Sequence, residues 1–586
     1  MYKKCYATRI GGYDSNRYKI DLWDEDGHQE IEWLDTAYVE DDSGKFIGLE
    51  GEKLSKTTKW NKRDLGLHYH DMKAHQKFLI EKYGINDTPS TGHREVYFDI
   101  ECEIGGALTK EYIESAPMPI TSIAWWDKKD WIILILDKKN LIKSTTWDKQ
   151  RNKKIIPCRS ERELLAEFLK YHVDNYPDIL IGYNSDFFDI PYLYYRICNV
   201  LGKEYAEMLS PLQQVKTEKS SWFKHPETQK WISYWSKRDQ YVDLVGIEQL
   251  DYLRLHKKYS WKDEPSYKLD AIGEKYAGVK KIEYEGNLDQ LFETDLHKFI
   301  EYNFRDVEIL KLLDEKLDYI ALTKNLAHKG KHNYDEVYSN SVTQDGAISA
   351  YLLSQNIIPP ARPYQGKRPL GKGETYAGGY LFCPKAGLYN YMFDLDLVSL
   401  YPCIIMSLNI GRETLVGYIK DANKRNSRLA INDLKDRDPD EELLIENIKG
   451  QQTHVNVGKL ISMIEQNQLS VSANGTFFRQ DKESVLSTIL NKWFDERVEY
   501  KNKMKEAYKA KDKEKGEYYY LMQYTMKILL NSLYGATALP TFRYGLPNFL
   551  ISQAITLTGQ RIIQESALCA NTFLNKVLRD EIKLEI

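Results

Sequence analysis

Two acidic residues near the end of the first hundred residues are spaced for metal chemistry. In the segment VYFDIE, Asp99 and Glu101 are two residues apart within a strand-like pattern, so both side chains leave the same face. Adjacent carboxylates on a buried strand repel each other and are costly unless a cation holds them. Hard oxygen ligands of this kind suit Mg²⁺ or Mn²⁺. The pair is therefore a candidate metal site.

Two further acidic residues occur where a folded chain can bring them to the same place. Asp189 lies in YNSDFFDIPYL, after the strand-like segment DILIGYN and at a turn into a helix. Asp306 lies four residues after Tyr302 in FIEYNFRDVEIL, so the two share one face of a predicted helix. The apolar stripe of that helix consists of Leu296, Ile300, Phe304 and Val307. Phosphodiester hydrolysis uses two divalent ions roughly 4 Å apart, which these carboxylates and a water-orienting Tyr would hold.

The order of these motifs carries more weight than any one of them. Taken alone, a DxE pair is more often a solvated strand edge, and a Tyr–Asp pair is usually ordinary helix surface. The succession DIE, then Asn184 to Asp189, then Tyr302 to Asp306 resembles the three exonuclease motifs of DnaQ-like, RNase H-fold proofreading domains. The resemblance implies a 3′–5′ exonuclease that binds two Mg²⁺ or Mn²⁺ ions. Its catalytic residues would be Asp99, Glu101, Asp189, Tyr302 and Asp306, with the four carboxylates as metal ligands.

Composition limits the kind of protein that must position these residues. The chain has 586 residues, 42% hydrophobic and 29% charged, which indicates about four folded domains and excludes a fibrous or wholly disordered chain. Lys and Arg total 82 and Asp and Glu total 86, so any nucleic-acid contact must use local basic patches. The seven scattered cysteines include no CxxC pair, which fits a reducing cytoplasm and argues against structural zinc.

The pattern along the chain predicts several elements around the motifs. Within residues 94–318, strands such as WIILILD alternate with helical patterns such as SERELLAEFLKYHVDNY, which predicts an α/β domain. Residues 359–380 are rich in Pro and Gly and indicate a connector, after which LYNYMFDLDLV predicts a strand. The charged segment 421–450 predicts a surface excursion. Charged helical patterns run from Glu483 to about Met526, and a helical period resumes from Ile551 to Leu578.

The second half contains more specific motifs. DLDLVSLYPCIIMSLNI matches the DxxSLYPSII motif of family B DNA polymerases, with Cys403 where Ser is usual, and KILLNSLYGA matches KxxxNSxYG. The whole chain resembles a replicative family B polymerase of the kind carried by large tailed phages. That resemblance implies an α/β and α+β multidomain fold. Its parts would be an RNase H-like (DnaQ-like) exonuclease, a partial palm and helical fingers.

The resemblance also assigns residues to a polymerase site with two Mg²⁺ or Mn²⁺ ions. Asp396 would be its catalytic, metal-binding carboxylate, whereas Asp394 on the same strand face is not required. Tyr401 resembles the steric gate that excludes a ribose 2′-hydroxyl, although core packing beside Pro402 is compatible with the same position. The nucleotide-binding residues would be Ser399, Leu400, Tyr401, Arg497, Lys501, Lys527 and Asn531. The DNA-binding residues would be Tyr376, Gly378 and Gly379 of YAGGY, together with Tyr534 and Gly535.

A row of basic residues precedes the second polymerase motif. Arg497, Lys501 and Lys505 are spaced by four residues and share one helical face. An exposed helix of mixed charge is usually no more than a solvated surface. The resemblance nevertheless assigns Arg497 and Lys501 to the incoming triphosphate, with Lys527 as the third cation. It gives Lys505 no role.

The same resemblance predicts domain boundaries and a missing part. The expected domains are an N-terminal domain (1–93 and 319–368), the exonuclease (94–318), a partial palm (369–462 and 541–586) and the fingers (463–540). Family B polymerases carry a second palm metal motif, DTD within YGDTDS, and a thumb, and we find neither in the 586 residues. We therefore expect a polymerase part that is completed by a separate C-terminal chain. A shortened polymerase and an incomplete sequence remain alternatives.

Two other functions compete with this hypothesis. The first is a stand-alone 3′–5′ exonuclease whose second half only grips DNA, and the second is a non-catalytic DNA-binding remnant. The triphosphate-binding residues argue against the first, and the retained acidic residues argue against the second. The partners we expect are primer–template DNA, dNTPs, the C-terminal polymerase chain and a sliding clamp. The expected location is the cytoplasm, that of a bacterial host if a phage encodes the chain.

Overall fold

The described part of the chain forms two compact units. The computed structural model describes residues 1–12, 15–60, 66–103, 105–148, 152–217, 222–224, 231–233, 242–260, 263–362, 378–382, 386–388, 395–420, 431–448, 450–539, 542–546 and 549–577. The first unit comprises Met1–Leu34, Ala74–Leu79 and Asn86–Ser339. The second comprises Asp35–Lys73, Ile80–Ile85 and Asn340–Ile586. This division is coarser than the four predicted domains, whose boundaries remain predictions.

Strands occur in both units. In chain order they are β1 (Tyr2–Ile10), β2 (Arg17–Asp24), β3 (Gly27–Leu34), β4 (Ala37–Glu40), β5 (Phe46–Gly48), β6 (Lys53–Thr57), β7 (Leu67–His68), β8 (Glu95–Cys102), β9 (Ile120–Trp126), β10 (Trp131–Leu136), β11 (Thr146–Asp148), β12 (Lys153–Cys158), β13 (Ile179–Gly182), β14 (Val215–Lys216), β15 (Trp222–Lys224), β16 (Trp231–Ser233), β17 (Asp243–Leu244), β18 (Glu248–Asp251), β19 (Ile357–Ile358), β20 (Leu415–Ile419), β21 (Glu442–Asn447), β22 (Gln452–Asn456), β23 (Leu469–Val471) and β24 (Thr476–Arg479).

Helices connect the strands of the first unit and dominate the end of the second. In chain order they are α1 (Ala74–Tyr83), α2 (Lys110–Ser115), α3 (Glu161–Asp174), α4 (Asp189–Val200), α5 (Lys203–Glu207), α6 (Tyr252–Tyr259), α7 (Leu269–Ile272), α8 (Leu288–Thr294), α9 (Leu296–Leu317), α10 (Tyr319–Gly330), α11 (Asn340–Ser354), α12 (Leu400–Leu408), α13 (Ile431–Lys435), α14 (Val457–Gln466), α15 (Val485–Lys509), α16 (Lys513–Thr537) and α17 (Leu550–Val577). None of these helices is long and apolar enough to cross a membrane.

A seven-stranded mixed sheet forms the centre of the first unit. Its strand order is β11-β12-β10-β9-β8-β13-β18. The strand β8 lies in the interior, antiparallel to β9 and parallel to β13. The near-continuous apolar sequences of β9 and β10 are typical of strands covered on both faces. The helix α9 packs against β8 and β9, and α3 packs against β9 and β10. The predicted alternation of strands and helices is therefore confirmed.

The helix α9 carries the predicted Tyr–Asp motif to this sheet. Its apolar stripe is buried as predicted, and it consists of Leu296, Ile300, Phe304 and Val307. Burial of side chains of this size stabilises a fold by about 1.5–3 kcal/mol each. The Asp295 side chain caps the helix by accepting a hydrogen bond from the backbone N of Lys298 at 3.0 Å. The helix ends at Asp318, whose φ of 54° is left-handed.

Two five-stranded sheets belong to the second unit. One has the order β19-β5-β6-β4-β7, and the other has the order β22-β21-β20-β24-β23. The core of the latter contains Ile419, Leu434, Leu443, Val457, Leu460, Ile464 and Phe477. The expectation of a surface excursion over 421–450 is therefore wrong for the part after residue 430, because Leu434 and Leu443 are buried in this core. Residues 421–430 lie outside the described residues.

A long helical hairpin follows that sheet. Its helices, α15 and α16, pack along each other and are joined by residues 510–512. The hydroxyl of Ser484 caps α15 through the backbone N of Ser487 at 3.0 Å, and Asp512 caps α16 through the backbone N of Lys515 at 3.1 Å. An added Cβ at Gly516 would lie 2.4 Å from the Tyr508 ring, so the hairpin closes tightly near its tip. The helical region predicted from Glu483 to about Met526 is confirmed, with this break inside it, and the region predicted from Ile551 to Leu578 is confirmed as α17.

Candidate functional site

Three of the four predicted acidic residues of the first unit lie together. One oxygen each of Asp99, Glu101 and Asp306 lies within 4.8 Å of the other two. The strand β8 supplies Asp99 and Glu101, which are paired across the sheet with Ala124 and Ser122 of β9. The helix α9 supplies Asp306, which is buried. The strand period and the helix period thus bring the two motifs to one place, and their role as metal ligands remains a prediction.

The fourth acidic residue, Asp189, is tied to the same strand. It is the first residue of α4, and its Oδ1 accepts a hydrogen bond from the backbone N of Ile100 at 3.2 Å. The turn before it contains Asn184, whose φ of 63° is left-handed and whose backbone N donates to Asp251 Oδ1 at 2.9 Å. An added Cβ at Gly182 would lie 2.4 Å from the Ser185 side chain. This tight turn therefore places Asp189 against the backbone of β8, and Asp189 is not part of the group of three.

Burial and mutual repulsion make it unfavourable for these carboxyl groups to be charged together. Burial, followed by the charge of Asp306, raises the pKa of Glu101 to about 8 and the pKa of Asp99 well above its ordinary value. Burial also raises the pKa of Asp189 to about 7 and raises the pKa of Asp306. Carboxylates in this situation take up either protons or a cation. The cluster is consequently a site that favours positive charge.

A lysine that the sequence patterns did not indicate lies in this cluster. Lys281 Nζ donates a hydrogen bond to the Tyr302 hydroxyl at 3.1 Å and another to Asp306 Oδ2. Burial opposes the charge on Lys281, but Asp306 and then Tyr302 outweigh it and raise the pKa of the ammonium group. The lysine therefore stays protonated. Its position is fixed by its backbone N, which donates to Asp270 Oδ1 at 2.8 Å. Lys281 lies in a segment without helix or strand, so no periodicity pointed to it.

A buried asparagine holds Asp99 in place. Asn303 Nδ2 donates to Asp99 Oδ2 at 2.6 Å, and Ser122 Oγ donates to Asn303 Oδ1 at 2.8 Å. Asn303 is fully buried on α9, next to Tyr302. In the sequence, only its position beside Tyr302 could have drawn attention to Asn303, because a single Asn inside a helix is compatible with many structural roles. The hydrogen bonds restrict the Asp99 carboxylate to one orientation.

The donor set fits a divalent cation. Asp306 Oδ1 is buried and accepts no hydrogen bond from any residue that the structure describes. A buried acceptor without a partner costs free energy, and a cation removes that cost. Three carboxylates within 4.8 Å of one another supply the hard oxygen ligands that Mg²⁺ and Mn²⁺ prefer. Asp99, Glu101 and Asp306 are therefore the residues that would hold such an ion.

In the second unit, the first polymerase-like motif is described in part. Asp396 is exposed in the irregular segment 395–397, directly before α12. Ser399 has a left-handed φ of 54° and precedes Leu400 and Tyr401, the first two residues of the helix. Most of the strand predicted from LYNYMFDLDLV, with Asp394, lies outside the described residues, and so does Tyr376. Over 395–397 the expected strand is not formed.

The Tyr401 ring is packed among several elements of this unit. Its centre lies 4.4 Å from that of Tyr534, at an angle of 32°. An added Cβ at Gly559 of α17 would lie 3.0 Å from the Tyr401 ring, and one at Gly379 would lie 3.2 Å from its hydroxyl. Gln560 Nε2 donates to the backbone O of Gly378 at 2.7 Å. The structure thus brings Gly379 of YAGGY next to Tyr401 and Gly378 next to Gln560 of α17, and the Tyr401 ring is half-buried.

Four cations lie near one another on the helical hairpin. Arg497 lowers the pKa of Lys501 most strongly, and burial and the charges of Lys505 and Lys527 lower it further. Neither Arg497 nor Lys501 forms an ion pair with a carboxylate in the described part of the chain, and Arg497 Nε is buried without a hydrogen bond. Such a group of cations is suited to an anionic ligand.

The remaining predicted residues continue along α16. Asn531 is exposed four residues after Lys527, and Tyr534 contacts Tyr401 as described above. Gly535 is exposed, and an added Cβ there would meet no protein atom within 4 Å. The predicted nucleotide-binding and DNA-binding residues on this helix therefore border open space. Their roles remain predictions.

Two family models match the chain. Residues 338–585 match DNA polymerase family B, and residues 72–272 match the exonuclease domain of DNA polymerase family B. The segment between the two matches contains Lys281, Tyr302 and Asp306, so neither family model covers these three residues.

The chain also resembles curated proteins over much of its length. It is 28% identical to the DNA-directed DNA polymerase of Escherichia phage RB69, in an alignment covering 99% of this chain and 68% of that protein. It is 27% identical to the DNA-directed DNA polymerase of Enterobacteria phage T4, over 72% of this chain and 47% of that protein. It is 26% identical to a DNA polymerase of Pyrococcus glycovorans, over 80% of this chain and 50% of that protein. The chain thus spans about half to two thirds of the length of these relatives.

Proposed function

The chain belongs to DNA polymerase family B, and we propose that it supplies the 3′–5′ proofreading exonuclease, the fingers and part of the palm of a DNA-directed DNA polymerase. The nuclease proposal is carried by the grouping of Asp99, Glu101 and Asp306 within 4.8 Å. The polymerase proposal is supported by the cations on α15 and α16. The proposed exonuclease domain is 94–318, and the proposed fingers, 463–540, contain the helical hairpin.

In the proposed nuclease, the residues of this chain bind the ions and arrange the reacting groups. Asp99, Glu101 and Asp306, with Asp189 beside them, would hold Mg²⁺ or Mn²⁺, two ions per site. When bound, such ions stabilise negative charge on the phosphate oxygens and lower the pKa of water. Asn303 keeps Asp99 in a fixed orientation.

Tyr302 and Lys281 complete this arrangement. Burial, and then the charge of Asp306, raise the pKa of Tyr302, so its hydroxyl stays protonated and can donate a hydrogen bond to the attacking water. Lys281 neutralises Asp306 and holds the Tyr302 hydroxyl. A single-stranded 3′ end with a negatively charged phosphate is the substrate that this electrostatic pattern favours.

In the proposed polymerase site, this chain supplies the nucleotide-binding residues and one carboxylate. Arg497, Lys501 and Lys527 bind the triphosphate, and Asn531 lies beside it. Ser399 and Leu400 lie at the N-terminus of α12, where backbone N–H groups can donate to phosphate oxygens. Tyr401 excludes the ribose 2′-hydroxyl. Its contacts with Tyr534 and Gly559 restrict its ring, and a gate residue needs such a restriction.

Template-directed synthesis needs a further carboxylate. Asp396 is the one acidic residue that we assign to the ions of the palm, and two ions require a second palm carboxylate. We propose that a C-terminal polypeptide carries it, together with the thumb. Primer–template DNA and dNTPs are the proposed substrates, Gly378, Gly379, Tyr534 and Gly535 are proposed DNA contacts, and a sliding clamp is a proposed partner.

The alternative of a stand-alone exonuclease explains fewer features. Arg497, Lys501 and Lys527 lie near one another on the hairpin, and the first two have no carboxylate partner in the described part of the chain. Cations grouped in this way repel one another, which destabilises the fold. An exonuclease has no use for such a group, so its presence favours the polymerase function. A measurement of dNTP binding distinguishes the two hypotheses, because the polymerase part should bind dNTPs and a stand-alone exonuclease should not.

The proposal is tested by two assays on the same purified chain. The first follows nucleotide release from the 3′ end of single-stranded DNA with Mg²⁺. Asp99→Ala should abolish release, whereas Asp148→Ala, an exposed carboxylate on the edge strand of the same sheet, should not change it. The second measures dNTP binding, which Arg497→Gln should weaken. Wild-type turnover by Asp99→Ala would refute the nuclease site, and undiminished dNTP binding by Arg497→Gln would refute the nucleotide site.

A further inference from the structure

One face of the helical hairpin carries basic and aromatic side chains in addition to the three cations of the proposed nucleotide site. On α15 it presents Arg497, Lys501 and Lys505, each four residues apart. On α16 it presents Tyr520, Tyr524 and Lys527, which share one face by the same spacing rule. The charges of Lys505 and Lys527 both act on Lys501, so the two rows lie side by side. We call these six residues the cation–tyrosine face.

The three cations that α15 contributes to this face have no acidic partner in the described part of the chain. Arg497, Lys501 and Lys505 form no ion pair with a carboxylate among the residues that the structure describes. Three other lysines of the hairpin do have acidic partners: Lys503 lies 2.5 Å from Glu499, Lys513 lies 3.5 Å from Glu517 and Lys515 lies 3.1 Å from Asp512. A row of three cations without a carboxylate partner on one face of α15 favours an anionic ligand there.

The tyrosines of the face add flat apolar surface to this charge. The rings of Tyr520 and Tyr524 are nearly parallel, at 9°, with their centres 6.0 Å apart. Lys527 Nζ lies 5.9 Å from the centre of the Tyr524 ring. Tyr520 is 51% exposed, so its ring is accessible. Amines beside accessible aromatic rings bind phosphates and bases together.

The outer part of the face lies next to the proposed triphosphate site, on the side of the hairpin tip. Lys505 is about 6 Å further along the helix axis than Lys501, and Tyr520 is about 10 Å further than Lys527. This outer part offers one unpaired amine and one exposed ring. One amine and one aromatic ring suffice to bind the phosphates and the base of a single nucleotide. A nucleic-acid strand would need a longer row of amines and rings.

We propose that Lys505 and Tyr520 form an outer docking site for a nucleoside triphosphate on the fingers. Lys505 contacts the phosphates and the Tyr520 ring stacks on the base, before the nucleotide moves to Arg497, Lys501 and Lys527. This inference rests on the proposed nucleotide-binding role of those three residues. Its consequence is kinetic, because a docking site outside the final position speeds capture and leaves the final complex unchanged.

The test is the rate at which the chain binds a nucleotide. A deoxynucleoside triphosphate with 2-aminopurine as its base is mixed with the full chain in Ca²⁺, and its fluorescence is followed by stopped flow. Lys505→Gln and Tyr520→Leu should each lower the association rate constant by about threefold to tenfold and leave the dissociation rate constant unchanged. The matched controls are Lys503→Gln, whose charge is already paired, and Tyr518→Leu, which is 52% exposed on a different side of α16. Both should bind at the wild-type rate.

A second ligand separates the two roles. Inorganic triphosphate has no base, so Lys505→Gln should weaken its binding and Tyr520→Leu should not. Association rates equal to those of the controls would overturn the docking site while leaving the proposed nucleotide site intact. Loss of affinity for oligo(dT), with unchanged nucleotide association, would overturn it in favour of a strand-binding surface. Absence of nucleotide binding by the wild-type chain would overturn both the docking site and the proposed polymerase function.

Discussion

Lys281 Nζ lies between the Tyr302 hydroxyl and the Asp306 carboxylate and donates a hydrogen bond to each. The lysine comes from an irregular segment, whereas the other two residues lie four apart on α9. A partly buried ammonium group thereby lies beside a cluster of carboxylates that repel one another. The cluster is electrostatically balanced in part before any ion or DNA arrives.

Replacement of Lys281 should impair the nuclease without unfolding the chain. We expect Lys281→Gln to lower the rate of 3′ nucleotide release by about 100-fold, because a positioned cation near a scissile phosphate is worth that order of magnitude. Lys280→Gln is the control, since Lys280 pairs with Glu274 at 2.9 Å on the surface. Equal rates for the two variants would mean that Lys281 only fills space beside Asp306.

Stabilisation of β8 by Mg²⁺ should grow with pH. In the folded chain the pKa of Glu101 is about 8 and that of Asp189 about 7, against ordinary values of 4.5 and 3.8. Because both are raised, the groups contribute stability below their unfolded pKa values, and that contribution is lost as pH rises through about 7 to 8. Mg²⁺ competes with the same protons. Hydrogen exchange of the β8 amides with and without Mg²⁺ should therefore show greater protection by the ion at about pH 9 than at about pH 6. Equal protection at both would contradict the site.

Removal of one carboxylate should stabilise the metal-free nuclease domain while destroying its function. In a chelating buffer at about pH 9, Glu101→Gln relieves the repulsion and should stabilise β8 by on the order of 1 kcal/mol. The same variant should lose the protection given by Mg²⁺ and the nuclease activity. Slower amide exchange in the chelator, together with wild-type activity, would exclude Glu101 as a metal ligand.

A buried arginine should control the stability of the second unit. Arg543 is fully buried, and its Nη1 donates to Asp71 Oδ1 at 2.6 Å and to the backbone O of Pro360 at 2.5 Å. Its backbone N donates to Asp345 Oδ1 at 3.3 Å. Arg543→Met leaves the Asp71 carboxylate without this cation, whereas Asp345 keeps Arg362 at 3.0 Å, and the change should cost about 3–5 kcal/mol in urea unfolding.

The control for Arg543 is a surface pair of the same unit. Arg561 lies 3.2 Å from Asp433 and is partly exposed. Arg561→Gln should cost about 1 kcal/mol or less, because water screens such pairs. If Arg543→Met cost no more than this, the side-chain contacts of Arg543 with Asp71 and Pro360 would not hold these chain segments together.

Spacing rules predicted the parts of the site that lie on regular elements. The period of two placed Asp99 and Glu101 on one face, and the period of 3.6 placed Tyr302 and Asp306 on another. Those rules could not find Lys281, because its position depends on the path of an irregular segment and on Asp270. They also misjudged Leu434 and Leu443, two apolar residues among many charges, because only a folded sheet reveals that both enter one core.

The proposed polymerase site in the second unit illustrates a different limit of prediction from sequence. The polymerase-like motif around Asp396 was identified from residue types, yet the expected strand is absent over 395–397. The packing of Tyr401 between Tyr534 and Gly559 was equally invisible in the sequence, since those residues are more than one hundred positions away. Sequence motifs therefore identify candidate residues, whereas the tertiary contacts that restrict a side chain such as the Tyr401 ring are seen only in the structure.

The most direct test of the account uses a primer–template labelled at the primer 5′ end, with the purified chain alone, Mg²⁺ and all four dNTPs, on a sequencing gel. The account predicts shortened primers only, and no shortening with Asp99→Ala. Extended primers would contradict it, because the chain would then hold a complete pair of palm carboxylates by itself. Primers that bind but stay at full length would contradict the nuclease site at Asp99, Glu101 and Asp306.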